Sequence, residues 1–93
     1  MNPIPRGTRL LSLKVKDGLA TVDLSREFSD NFSGGAEDEA LCISSILRTL
    51  SQFPEIKKVL FEVEGKPLDT LGHLELDGPQ DVNWVGTGMG GSN

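Results

Sequence analysis

A chain of 93 residues makes one small domain with a modest core, and its apolar share of 37%, regularly patterned, sets it apart from disordered compositions. A formal charge of −5 argues against nucleic acid and against an anionic membrane surface, since both need a basic face. Cys42 is the single cysteine, so there is no internal disulfide and no cysteine-based zinc finger. No stretch approaches the roughly 20 apolar residues of a membrane span. The sequence also shows neither a basic-then-apolar leader nor a cysteine near Met1 to take a lipid, elements that a mature domain would have lost and that therefore do not locate the protein. The lack of Tyr and the single Trp84 leave little aromatic surface for stacking.

Residues 1–9, with Pro3, Pro5 and Gly7, read as an extended lead-in. Asp17-Gly18 then predicts a two-residue type I′ turn, which needs positive φ at both positions. Closing the chain there pairs Lys16 with Leu19, Val15 with Ala20, Lys14 with Thr21, Leu13 with Val22 and Leu11 with Leu24. Leu11, Leu13, Val15, Ala20, Val22 and Leu24 share one face of that hairpin, expected to be buried. On this reading Leu13→Asp or Val22→Asp unfolds the domain.

Ser25–Gly35 reads as a polar connection whose Phe28 and Phe32 cover a core edge. Ala36–Phe53 is expected to be a helix, with Ala40, Ile43, Ile46, Leu47, Leu50 and Phe53 as its apolar stripe and Pro54 as its stop. Lys57–Glu64 alternates as a strand, with Leu60 on the second face pointing to a central position, and Gly65-Lys66-Pro67 breaks it. His73–Asp77 reads as a short last edge strand, and residues 86–93 as a flexible glycine-rich tail. The class is α+β: a small antiparallel or mixed sheet, the hairpin plus one or two further strands, covered on one face by a single long helix, spanning residues 10–85.

Several blocks together carry a resemblance. Gly18-Leu-Ala-Thr-Val-Asp-Leu-Ser, Phe28, Glu39-Ala-Leu, Arg48-Thr-Leu-Ser-Gln-Phe-Pro, Lys58-Val, Val63-Glu-Gly65 and Leu71-Gly-His73 occur in an order and spacing that resembles the GerMN domain, the sporulation and spore-germination domain of bacterial envelope lipoproteins. Domains of that family usually carry another strand and helix before the segment that matches Ile4–Thr8. A sheet without that strand is expected to have an open edge, and open edges invite pairing. The resemblance implies an extracytoplasmic module, membrane-anchored in the full-length protein, with a role in sporulation, germination and peptidoglycan.

Candidate chemistry is sparse. Cys42 reads as a semi-buried core residue. His73 lies near Glu75, Asp77 and Asp81, where shaping a turn is the favoured role over holding a cation. Glu37, Asp38 and Glu39 suit the solvated first turn of a helix. Gly34-Gly35 before the helix lacks the lysine or hydroxyl pattern of a phosphate loop. Trp84 is either a cap on the sheet edge or an exposed contact. No catalytic, cofactor or metal residues are assigned, and Arg26, Arg48, His73 and Trp84 are the candidate partner contacts. The expected function is a non-catalytic envelope interaction module, partnered by envelope proteins or by itself. The alternative is a domain that binds or processes peptidoglycan.

Overall fold

The computed structural model describes residues 3–84. Strand β1 (Leu10–Lys16) turns back into β2 (Leu19–Leu24), and a short helix α1 (Glu27–Asp30) and a long helix α2 (Ala36–Leu50) lead on to β3 (Lys58–Val63). Two-residue strands β4 (Lys66–Pro67) and β5 (Gln80–Asp81) follow. The fold is α+β, and its sheet is mixed. β1 and β2 are antiparallel, β2 and β3 parallel, and β4 and β5 both pair antiparallel with the far edge of β3. Parallel neighbours need a long connection across the sheet, and α1 and α2 form it.

The Asp17-Gly18 turn forms as the sequence dictates, with φ of 52° and 83°. Four of the five expected pairs follow: Lys16 with Leu19, Val15 with Ala20, Lys14 with Thr21 and Leu13 with Val22. The fifth differs. Leu10, not Leu11, opposes Leu24, because the register shifts at a bulge between Leu10 and Ser12. The Gly18 carbonyl accepts from the backbone N–H of Lys57 at 2.8 Å and of Lys58 at 3.1 Å, which locks the turn to the start of β3.

The core is built where β2 and β3 lie side by side. Ala20 is paired with Val59 and Val22 with Phe61, and these four pack with Leu24, Phe28, Ile56, Leu68 and Leu76. Helix α2 adds Cys42, Ile43, Leu47 and Leu50 to the same cluster. A helix about 10 Å across covers roughly two strands spaced about 4.8 Å apart. With β2 and β3 covered, β1 is left outside. Leu10, Leu11, Leu13 and Val15 are accordingly 58%, 43%, 44% and 46% exposed. The expectation that the whole apolar face of the hairpin is buried therefore holds for β2 alone. Leu13→Asp loses its predicted lethality, whereas Val22, only 4% exposed, keeps it.

Three further expectations are corrected. Helix α2 ends at Leu50, and Phe53 is exposed: the Phe53 N–H closes a turn on the Leu50 carbonyl at 3.0 Å, and Ile56 takes the buried place instead. Gly65-Lys66-Pro67 does not simply break β3, since Glu64 and Gly65, with φ of 51° and 79°, turn the chain back into β4. His73–Asp77 is not a strand. Its alternation reflects Leu76 filling the core from an irregular loop, fixed by its N–H donating to the Asp69 carbonyl at 2.7 Å. Phe28 and Phe32 do cover the core edge, the first fully buried in α1 and the second half-buried. The expected tail at 86–93 lies outside the described residues.

Candidate functional site

Several of the blocks that carry the resemblance meet in space as polar clamps. Buried Ser25, at the end of β2, accepts from the Arg9 N–H through Oγ at 2.8 Å, while its own N–H donates to the Arg9 carbonyl at 2.8 Å. This fastens the lead-in to the sheet. Asp23 Oδ1 accepts from the Gly65 N–H at 2.9 Å, tying β2 to the turn that follows β3.

The three acids opening α2 have three different fates. Glu37 is solvated, as expected. Asp38 Oδ2 accepts from the Gly35 N–H at 2.9 Å, capping the helix start. A Cβ at Gly34 would come within 2.5 Å of that same Asp38 carboxylate, at a φ of 131°, so the first glycine of the pair is required on both counts. Glu39 is fully buried, contrary to the solvated reading. Its Oε2 accepts from the Leu71 N–H at 2.8 Å and its Oε1 from the His73 N–H at 2.8 Å. One carboxylate thus holds the loop after β4 against the helix. His73 completes the latch from outside, its Nε2 lying 3.1 Å from the Gly34 carbonyl.

The uncovered side of β1 and the adjacent flank of α2 enclose an apolar groove of about 390 Å³. Leu10 and Leu13 form one wall, Val22 and Leu24 lie with them, and Ile46 and Leu50 of α2 face them across it. Pro3, Ile4 and Thr8 of the lead-in also line it. The groove exists because the sheet is one strand wider than the helix covers.

Of the four candidate contacts, Arg48 and Trp84 come together. With Ser44, Ser51, Val82 and Asn83 they line a depression of about 340 Å³ on the other flank of α2. Positions 44, 48 and 51 recur at helical spacing, and position 44 lies about 200° around the helix from position 46 of the apolar groove. Arg26 stands apart, exposed just before α1, with its N–H donating to Glu64 Oε2 at 2.9 Å. His73 is likewise separate, committed to the Glu39 latch. Arg48 was legible as an exposed helical cation, but its meeting with Trp84 depends on β5 returning alongside β3, which no local pattern announces.

Burial pushes the Cys42 thiol up to about 12, with the nearby Glu39 charge adding to the effect, so the thiol stays protonated and inert. Among the described residues no group of three or more His, Cys, Asp or Glu converges to hold a metal ion. No described helix is long and apolar enough to cross a membrane.

These features define a small α+β domain in which a helix-connected parallel strand pair is extended by a hairpin, fastened by internal polar clamps. The chain belongs to the Germane family, sporulation and spore germination, which matches residues 1–69. Solved structures agree. A protein of Clostridium perfringens described as a lipoprotein superposes with a TM-score of 0.78 at 30% identity, over 85% of this chain and 52% of that one. The tandem GerMN domains of the sporulation protein GerM from Bacillus subtilis give a TM-score of 0.67 at 29% identity, over 84% of this chain and 27% of that one. The first GerMN domain of GerM alone gives 0.65 at 29% identity, over 84% and 56%. The chain thus spans about half the length of the first of these structures. A comparison with curated proteins finds no match.

Proposed function

We propose that this domain is a non-catalytic assembly module of the bacterial cell envelope, carried outside the cytoplasm by a membrane-anchored protein and docking a protein partner along β1. The lipoprotein and sporulation settings of the similar structures support the location. The observation that carries the docking role is the uncovered β1 edge, with Leu10, Leu11, Leu13 and Val15 exposed beside an apolar groove. An edge strand offers unpaired backbone groups, and exposed apolar side chains on it add the incentive to pair.

A second copy of the chain is the simplest such partner. Antiparallel pairing of two β1 strands centred on Leu13 sets Leu13 against Leu13 and Leu11 against Val15. It also sets Lys14 against Ser12, so like charges do not face each other. The test is amide hydrogen exchange of β1 at low and high protein concentration. Slower exchange in Leu10–Lys16 at high concentration, with β3 unchanged, is the expected result. Exchange in β1 that is independent of concentration removes self-pairing from the account.

A second reading, in which the domain binds peptidoglycan, draws support from the depression that Arg48 and Trp84 share. Co-sedimentation with insoluble sacculi separates the two readings. Salt-resistant pelleting supports wall binding, and a chain left in the supernatant supports the protein-assembly role.

A further inference from the structure

We propose that the depression between the outer flank of α2 and the segment after β5 is a binding site for a sugar ring bearing one carboxylate. The inference rests on the wall-binding reading, gives its chemistry, and is independent of the β1 edge.

The space, about 340 Å³, falls in the range of small-ligand pockets. Its lining supplies the parts such a ring needs. Arg48 lies in the last turn of α2 and is exposed, and among the described residues its guanidinium has no carboxylate partner. A guanidinium is always charged and presents a planar fork of donors that matches a carboxylate.

The hydroxyls of Ser44 and Ser51 donate to the carbonyls of Leu41 at 3.3 Å and Arg48 at 2.7 Å. Both protons being spent on the helix, the two oxygens keep lone pairs that accept from the hydroxyl groups of a ligand. The Asn83 backbone N–H is taken up by Asp81 Oδ1 at 2.8 Å. Its side-chain amide, with donor and acceptor, has no partner among the described residues. Trp84 is half-buried against the core, its backbone N–H donating to the Asp81 carbonyl at 2.9 Å, and the open part of its indole offers an apolar surface to the C–H face of a ring.

The charge balance selects among anions. One cation in the pocket suits a single carboxylate, and a chain with net charge −5 disfavours a ligand carrying many acidic groups.

Trp84 is the single tryptophan, so its indole N–H gives one resolved signal in an NMR spectrum of the labelled chain. The probes are N-acetylmuramic acid and N-acetylglucosamine, which differ by a lactyl carboxylate. The acidic sugar is expected to shift the Trp84 signal saturably, with the neutral sugar roughly tenfold weaker, the scale of one charge-assisted hydrogen bond. Arg48→Gln, at an exposed position, is expected to keep the fold and abolish that preference. Equal responses to the two sugars overturn the proposal, as does a preference that survives Arg48→Gln. A stronger response to a glutamate-rich peptide than to either sugar overturns it in favour of a protein ligand. Sacculus pelleting unaffected by Arg48→Gln leaves wall binding standing and overturns the pocket. A saturable, Arg48-dependent sugar response without pelleting supports the pocket and removes wall binding.

Discussion

Glu39 concentrates the local energetics of this domain. A carboxylate removed from water is tolerated because backbone N–H groups of Leu71 and His73 donate to its two oxygens. Glu39→Ala orphans both donors and is expected to cost about 2–4 kcal/mol in urea denaturation. The amides of Leu71 and His73 should then exchange much faster. Unchanged exchange there would mean that the latch is not what holds the loop. Cys42 offers a second check. With its thiol held up to about 12 in the folded state, the folded protein binds a proton that the unfolded chain begins to release near 9. This contribution to stability is complete below about 9 and is lost as pH rises from there through about 12. A thiol reagent at neutral pH should therefore label Cys42 only at the rate of unfolding. Neither residue's full role was legible in the sequence. Glu39 sits among three consecutive acids, and nothing local distinguishes the one that turns inward.

At the scale of elements, the hairpin and α2 were readable because turn chemistry and periodicity are local. Asp17-Gly18 fixed four pairs, and only the bulge at Leu11 escaped, since it depends on how Arg9 and Ser25 are zipped together. Gly18→Val is expected to cost roughly 1–2 kcal/mol through backbone strain at φ of 83°, because an added Cβ would meet nothing closer than 3.5 Å. An unchanged melting temperature would contradict the turn assignment. The coverage of the hairpin was not readable. Alternation says which side chains share a face, but the width of a helix against the width of a sheet decides which are buried. The paired substitutions follow from that. Val22→Asp should abolish cooperative melting, whereas Leu13→Asp should melt cooperatively, within about 1 kcal/mol of the parent, as surface substitutions do. The loop at His73–Asp77 misled for a related reason: an alternating pattern marked a single inward residue, Leu76, rather than a ladder.

For the whole molecule, the resemblance in the sequence and the fold agree on the family, and several of the blocks that carry the resemblance prove to be internal fastenings. Asp23 to Gly65, Ser25 to Arg9 and Glu39 to the 71–73 loop hold elements together and do not converge on a reaction centre. That pattern fits a scaffold whose outward surfaces carry the function. Two such surfaces flank α2: the apolar groove beside β1 and the polar depression at Arg48 and Trp84. The central claim is that β1 is a docking edge whose partner is a second copy of the chain, and sedimentation velocity over a wide concentration range tests it most directly, comparing the native chain with Leu13→Lys. The account predicts a mass that rises with concentration for the native chain and stays monomeric for the substituted one. A native chain that remains a monomer throughout, or a Leu13→Lys chain that associates equally well, would contradict it.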